Sequence, residues 1–219
     1  MRSLPALLGA LLIGTSLNAS AANLNDIFNA DMLGTNLRYF ESVAGIARQS
    51  FGDEHHFRIQ GCNLTAHIGD AGVYAMRLEL TPNCHADLSS FIGDYAPASN
   101  TPLTFGALAN STGVDLRFTA DCLTMCGNAS DPTVSALWEG PRAVSFIQVK
   151  LEAALTDGPA LEASNQWQAH MTQAKGEDWV IDTQFNCNTQ FDPQANHAFK
   201  NVKVNAVTVG HELTIAGCY

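Results

Sequence analysis

The residues best able to do chemistry cluster in a few short runs. Asp53-Glu54-His55-His56 is the densest polar group in the chain, carrying two imidazoles beside two carboxylates. His56 begins a strand pattern, and adjacent strand residues point to opposite faces, so the two histidines cannot easily share one metal ion. Cys84-His85 with Asp87 has the residue types of an activated thiolate. In an exported chain with an even number of cysteines, a disulfide is the better use of Cys84. Asp121 and Asp131 flank the Cys122 to Asn128 loop and suit turn and cap positions. His211-Glu212 lacks the second histidine of a zinc-protease helix, and Gly140-Pro141-Arg142 is a turn rather than a phosphate cradle. There is no GxSxG elbow, P-loop or dinucleotide fingerprint. Nothing here calls for a metal or a cofactor, and no residue is assigned as catalytic.

The first 22 residues read as an address. Arg2 supplies a positive start, Leu4 to Leu17 is apolar, and Ala19-Ser20-Ala21 fits the small-residue cleavage pattern. The apolar run of about 14 residues is short of the roughly 20 that a membrane-spanning helix needs. No later stretch approaches spanning length, so an integral membrane segment is not expected. Cleavage leaves a chain of residues 23–219, periplasmic or secreted, with ten basic against 21 acidic side chains and a net charge of −11. That balance argues against nucleic acid as a partner, because phosphate recognition needs clustered Lys and Arg. Charged residues make up 15% of the whole chain and hydrophobic ones 46%, which excludes a disordered protein.

Six cysteines, Cys62, Cys84, Cys122, Cys126, Cys187 and Cys218, all follow the leader. An even count in an oxidising compartment predicts disulfides. Six cysteines allow 15 pairings, of which the sequential set is the simplest. Cys62 and Cys84 would meet across a hairpin, Cys122 and Cys126 would clip a tight loop, and Cys187 and Cys218 would fasten the last segment.

Several elements must position these groups. Leu24, Ile27, Phe28 and Met32 form a helical stripe broken by Gly34. A second helix follows, with Thr35 as its cap, Leu37, Phe40 and Ala44 on one face, and Gly45 as its stop. His56 to His67 reads as one strand, Asp70-Ala71-Gly72 as a turn, and Val73 to Leu80 as the returning strand. Alternation places Tyr74, Met76, Leu78 and Leu80 toward the core, with Val73, Ala75, Arg77 and Glu79 opposite.

Beyond a loop at Asp94 to Pro102, Thr104 to Leu108 opens a helix, and Gly113 to Ala120, Ser135 to Glu139 and Val144 to Leu155 are strands. This order echoes the first part and suggests two related halves, 23–92 and 101–156, within one domain. Met76-Arg77-Leu78-Glu79 can be set against Val149-Lys150-Leu151-Glu152, and Phe57-Arg58-Ile59 against Leu116-Arg117-Phe118. The end reads as helical: Ala163 to Ala174, Asp178 to Phe185, and a helix opening at Asp192-Pro193 whose apolar residues Phe199, Val202, Ala206, Val209 and Leu213 step by 3 and 4. The β-branched residues from Val202 to Val209 pull the other way, toward strand. The expected fold is α+β: antiparallel sheet, an N-terminal helix pair, C-terminal helices, and disulfide staples.

Two helices split by Gly34 and ended by Gly45, then the hairpin from Gly61-Cys62 to Leu80, resemble the small periplasmic domains of the β-lactamase inhibitor protein and the outer-membrane-assembly lipoprotein. The resemblance covers about 60 residues. This chain lacks the lipid-attachment cysteine, and its C-terminal third has no counterpart there. The resemblance implies a protein-binding module whose exposed sheet face meets a partner.

The function expected on these grounds is non-enzymatic, a binding or inhibitor-like module acting on an envelope or secreted protein. Tyr74, Arg77 and Trp167 are its candidate partner-facing residues, provided they are exposed; Trp138, in an apolar context, belongs to the core. The alternatives are a secreted hydrolase, whose cleft would draw a histidine from His55, His56, His170 or His211 and set it beside a carboxylate, and a structural envelope protein.

Overall fold

The computed structural model describes residues 22–99, 101–120, 123, 132–156, 158–182, 187 and 189–213. Residues 1–21, Cys122, Cys126 and Cys218 and the flanking Asp121 and Asp131 lie outside them. The fold is α+β, as expected: one eight-stranded antiparallel sheet with helices packed on one face.

The chain opens with a short helix, α1 (Leu24–Ile27), and a 3₁₀ turn, Ala30–Met32, in place of one continuous helix. Asn23 and Asn29 each cap their own turn by accepting an amide N–H, which starts the chain twice in eight residues. Helix α2 (Leu37–Ala44) is capped by Asn36, which accepts from the Tyr39 amide. Thr35 is not the cap; its hydroxyl donates instead to the Met32 carbonyl. Gly45 ends the helix as expected.

Strands β1 (Gln49–Phe51), β2 (Glu54–Ile59), β3 (Cys62–Gly69) and β4 (Gly72–Glu79) follow as a meander. The run from His56 to His67 is therefore two strands rather than one. Gln60 and Gly61 both take positive φ, 50° and 88°, the requirement of a two-residue hairpin turn whose twist matches its strands. Gln in the first turn position is a weak signal, so alternation carried the pattern straight through.

The second part begins with α3 (Ser89–Ile92) and α4 (Phe105–Thr112), the latter capped by Thr104. A second meander comprises β5 (Arg117–Ala120), β6 (Thr133–Glu139) and β7 (Gln148–Ala154). Helices α5 (Gly158–Lys175), α6 (Glu177–Asp182) and α7 (Asp192–Ala198) precede the last strand, β8 (Ala206–Gly210).

Strand β8 corrects the expectation of one long terminal helix. Helix α7 stops at Ala198, and of the apolar residues beyond it Ala206 and Val209 enter the middle of the sheet, giving the order β1-β2-β3-β4-β8-β7-β6-β5. All five residues of β8 are buried. A fully buried strand reads as a continuous apolar run, and its β-branched Val207, Thr208 and Val209 decide for strand. The two tetrapeptides matched in the sequence flank β8 in equal register: Met76 and Val149 oppose Val209, Arg77 and Lys150 oppose Thr208, and Leu78 and Leu151 oppose Val207.

One apolar core joins the helices to a single face of the sheet. Phe57, Leu64, Met76, Leu78, Val207, Val209, Val149, Leu151, Val134 and Phe118 supply the sheet side, and Ile27, Phe40, Phe105, Leu108, Trp167 and Phe199 the other. Trp138 is core, as its context implied. The Cys62–Cys84 disulfide forms as paired in the sequence. Cys187 is also disulfide-bonded.

Candidate functional site

The face of the sheet turned away from the helices is polar. Small residues on β8, namely Ala206, Thr208 and Gly210, let side chains from β4 and β7 meet across it. Arg77 on β4 donates to Glu152 on β7 at 2.8 Å, and Lys150 lies 3.4 Å from the same carboxylate. The ladder continues sideways. Arg77 pairs with Glu79 at 3.3 Å, Asn63 donates to Glu79 at 2.8 Å, and Arg58 donates to Asn63 at 2.7 Å. Burial alone would raise the Glu152 carboxyl, but the Lys150 and Arg77 charges outweigh it and hold the group below its ordinary value of 4.5.

A depressed carboxylate contributes stability above its unfolded value and loses it as pH falls through the folded one. Glu152→Gln is therefore expected to lower stability at pH 7 by on the order of 1 kcal/mol. It should also flatten the decline in stability below about pH 4.5, as urea denaturation across pH will show.

Beside this ladder lies a hollow of about 640 Å³. Its floor is Ala75 and Thr208, and its walls include Glu54, His67, Asp70, Tyr74, Glu212 and Leu213. Tyr74 reaches it because of a β-bulge. His67 pairs with Ala75 and Ile68 with Val73, so Tyr74 is an extra residue in β4. The bulge corrects the alternation: Val73 turns into the core, and Tyr74 turns out to the polar face. There its hydroxyl donates to Asp53 at 3.2 Å and its ring approaches that of His67. Burial, then the Asp53 hydrogen bond, push the Tyr74 phenol up.

Gly210 permits this geometry. A Cβ there would strike the Tyr74 carbonyl oxygen and come within 2.5 Å of the Ala75 Cα. Gly210→Ala is expected to disrupt the bulge and cost roughly 1–3 kcal/mol, measured by chemical denaturation. Loss of the His67 to Tyr74 ring contact should show in the imidazole NMR signals of the same variant.

His67 lies 4.0 Å from Glu54. Burial pulls its imidazole below the ordinary value, against the pull of the Glu54 carboxylate, so it is neutral at pH 7. At 4.0 Å the two groups are beyond hydrogen-bond reach, and among the described residues no serine or cysteine lines the hollow with them. His56 sits 3.8 Å from Glu54 and 3.0 Å from the Thr65 hydroxyl. His55 points to the other face, is buried, and bonds Ser50 at 2.9 Å, so the two adjacent histidines are separated by the strand as expected.

Of the three candidate partner-facing residues, Tyr74 and Arg77 both line the hollow. Trp167 does not join them. It is buried, 1% exposed, with its ring against Phe118 and Phe199 and its indole N–H on the Phe191 carbonyl at 3.1 Å. Its polar neighbours Gln166 and Gln168 lie to either side of the buried stripe of α5, a helical face that the local context hides. The histidines named for a hydrolase, His55, His56, His170 and His211, are dispersed, and none lines the hollow.

Residues the sequence did not offer as partner-facing complete the face: Glu54, His67, Lys150, Glu152, Thr208 and Phe51. Phe51 is 65% exposed, and its register opposite Glu54 places it on this face, with its ring edge against His56. The matched tetrapeptides were the available signal for Lys150 and Glu152. Among the described residues no group of three His, Cys, Asp or Glu side chains could hold a metal ion, and no helix is long and apolar enough to cross a membrane.

The fold and the site together define an α+β protein with one half-covered sheet and a polar hollow on its open face. No family model, curated protein or solved structure matches the chain.

Proposed function

We propose that this is an exported, non-enzymatic binding module that grips a protein partner on the open face of its sheet. The observation that carries this reading is the hollow beside the ion-pair ladder: eight strands packed on one side only, with Tyr74 and Phe51 standing on the other. Aromatic anchors set among polar groups are the usual composition of a protein-binding surface. The leader pattern and the Cys62–Cys84 disulfide support a periplasmic or secreted location. The likeness of the N-terminal helix pair and hairpin to inhibitor and assembly-protein domains favours the same use of the sheet.

The test is capture from envelope extract on immobilised protein. A specific partner should be retained by Leu161→Ser, on the helical side, and lost from Phe51→Ser/Arg58→Glu, on the open face. Capture that survives the double substitution and fails with Leu161→Ser would move the interface to the helices and overturn the reading. Hydrolytic turnover abolished by His67→Gln would replace it with the enzyme.

A further inference from the structure

We propose that Phe146 is an anchor whose ring enters an apolar pocket on the partner protein, an inference that rests on the binding reading above. Phe146 belongs to the loop between β6 and β7 and is 56% exposed. Ser145 and Phe146 stand one after the other at φ of 57° and 55°. A left-handed conformation crowds the Cβ of any residue but glycine against its own backbone, and two in succession add to the strain. Turns that need this geometry are served by Asn or Gly. Here the second position carries a phenyl ring, and a ring turned to solvent gives the fold little packing in return.

The rest of the loop holds that conformation in place. Val144 and Phe146 donate their amides to the Pro141 carbonyl at 3.0 and 3.2 Å, Ser145 to Arg142 at 3.0 Å, and Ile147 to Val144 at 3.1 Å. Gly140 closes the base by donating to the Ile147 carbonyl at 2.8 Å, beside the 2.9 Å bond from the Gln148 amide group to Glu139. A Cβ at Gly140 would strike the Val144 side chain and the Trp138 ring, so the loop sits directly on the core. A ring fixed in this way loses little freedom on docking, which is the advantage of pre-organisation.

Its position continues the open face. Gln148, two residues on, opposes Gly210, which opposes Ala75 in the floor of the hollow. The Gln148 side chain accepts from the Leu213 amide at 2.7 Å, and Leu213 lines the hollow. Phe51 opposes Glu54, another wall of the hollow. Phe51 on β1, Tyr74 on β4 and Phe146 beside β7 therefore stand along one end of the sheet. At about 4.8 Å per strand the outer two are about 24 Å apart, a span suited to the surface of a folded protein. A protruding ring leaves water fully only inside a concave apolar site, so the partner presents a pocket there rather than a flat patch. A membrane fits poorly: Glu54, Asp70 and Glu212 line the hollow at the same end, and the chain's formal charge of −10 is repelled by anionic headgroups.

The test is Phe146→Asn, which removes the ring and suits the left-handed backbone, with Leu161→Ser as the control on the helical side. Phe146→Asn should keep Tm within about 2 °C of the parent and reduce capture from envelope extract at least about tenfold, while Leu161→Ser captures as the parent does. A Tm lowered by more than about 5 °C would make the ring a packing element of the fold and overturn the inference. Three further measurements can also overturn it. Co-sedimentation with vesicles of phosphatidylethanolamine and phosphatidylglycerol that is lost in Phe146→Asn makes the ring a membrane anchor. A parent dimer in sedimentation velocity that Phe146→Asn dissociates makes the pocket one of a second copy. Capture that depends on Phe51 and Arg58 but is unchanged in Phe146→Asn leaves the docking face standing, and this inference alone falls. A parent protein that captures nothing overturns both.

Discussion

Trp167→Ala is expected to cost about 3–5 kcal/mol, among the largest losses any single side chain of this protein can produce. The indole fills the centre of the second half of the core. Its ring meets Phe118 of β5 at 6.3 Å and Phe199, just beyond α7, at 5.9 Å, and Phe118 in turn stacks on Phe199 at 5.5 Å. Truncation removes one member of this aromatic set and leaves a cavity walled by rigid rings, which collapse poorly. It also removes the indole donor from the Phe191 carbonyl. Trp167→Phe separates the two effects, because a phenyl ring keeps most of the packing and loses the hydrogen bond. Its cost should be nearer 1–2 kcal/mol. Guanidinium denaturation gives both numbers. The same measurement decides the role of Trp167: a partner-facing anchor would lose affinity on truncation and keep its stability, whereas a core residue does the reverse. A Trp167→Ala variant as stable as the parent would contradict the buried position.

How much of this was legible beforehand depended on distance along the chain. The Cys62–Cys84 pair was readable because both cysteines border one hairpin, so local geometry limited the choice. Helix ends marked by Gly45 and Thr104 were readable for the same reason. Strand β8 was not, since Val202, Ala206 and Val209 satisfy a helical spacing, and a strand buried on both faces shows no alternation to oppose it. Its neighbours β4 and β7 are 52 or more residues away in sequence, so no local pattern announces them.

The site suffered most from this. Arg77 and Glu152 are 75 residues apart and joined by one hydrogen bond. Tyr74 was assigned to the open face and to the core at once, by two arguments that a single inserted residue reconciles: the bulge at His67/Ile68. Periodicity cannot register a bulge, because it is the point at which the period breaks. What the sequence did contain was the echo between Met76-Arg77-Leu78-Glu79 and Val149-Lys150-Leu151-Glu152. Its structural meaning is the equal register of the two segments on either side of β8.

The second large effect is expected from the double substitution Cys62→Ala/Cys84→Ala. The disulfide closes a loop of sequence separation 22, and the loss of that constraint from the unfolded chain corresponds to about 3 kcal/mol at 25 °C. For a domain of this size that lowers Tm by roughly 6–12 °C, a shift calorimetry will measure directly. Because the cost falls mainly on the unfolded state, the folded geometry should change little. Cys62 opens β3 and Cys84 follows β4, so the bond ties the hairpin at the end away from the hollow. From Cys62 to Ile68 the strand extends about 20 Å. The variant should therefore keep the Arg77–Glu152 ladder and bind as the parent does wherever it remains folded. Partner capture lost on reduction should then follow the unfolding curve, returning on cooling or on adding a stabilising osmolyte. A variant that is fully folded by calorimetry and still cannot bind would show that the disulfide shapes the open face itself.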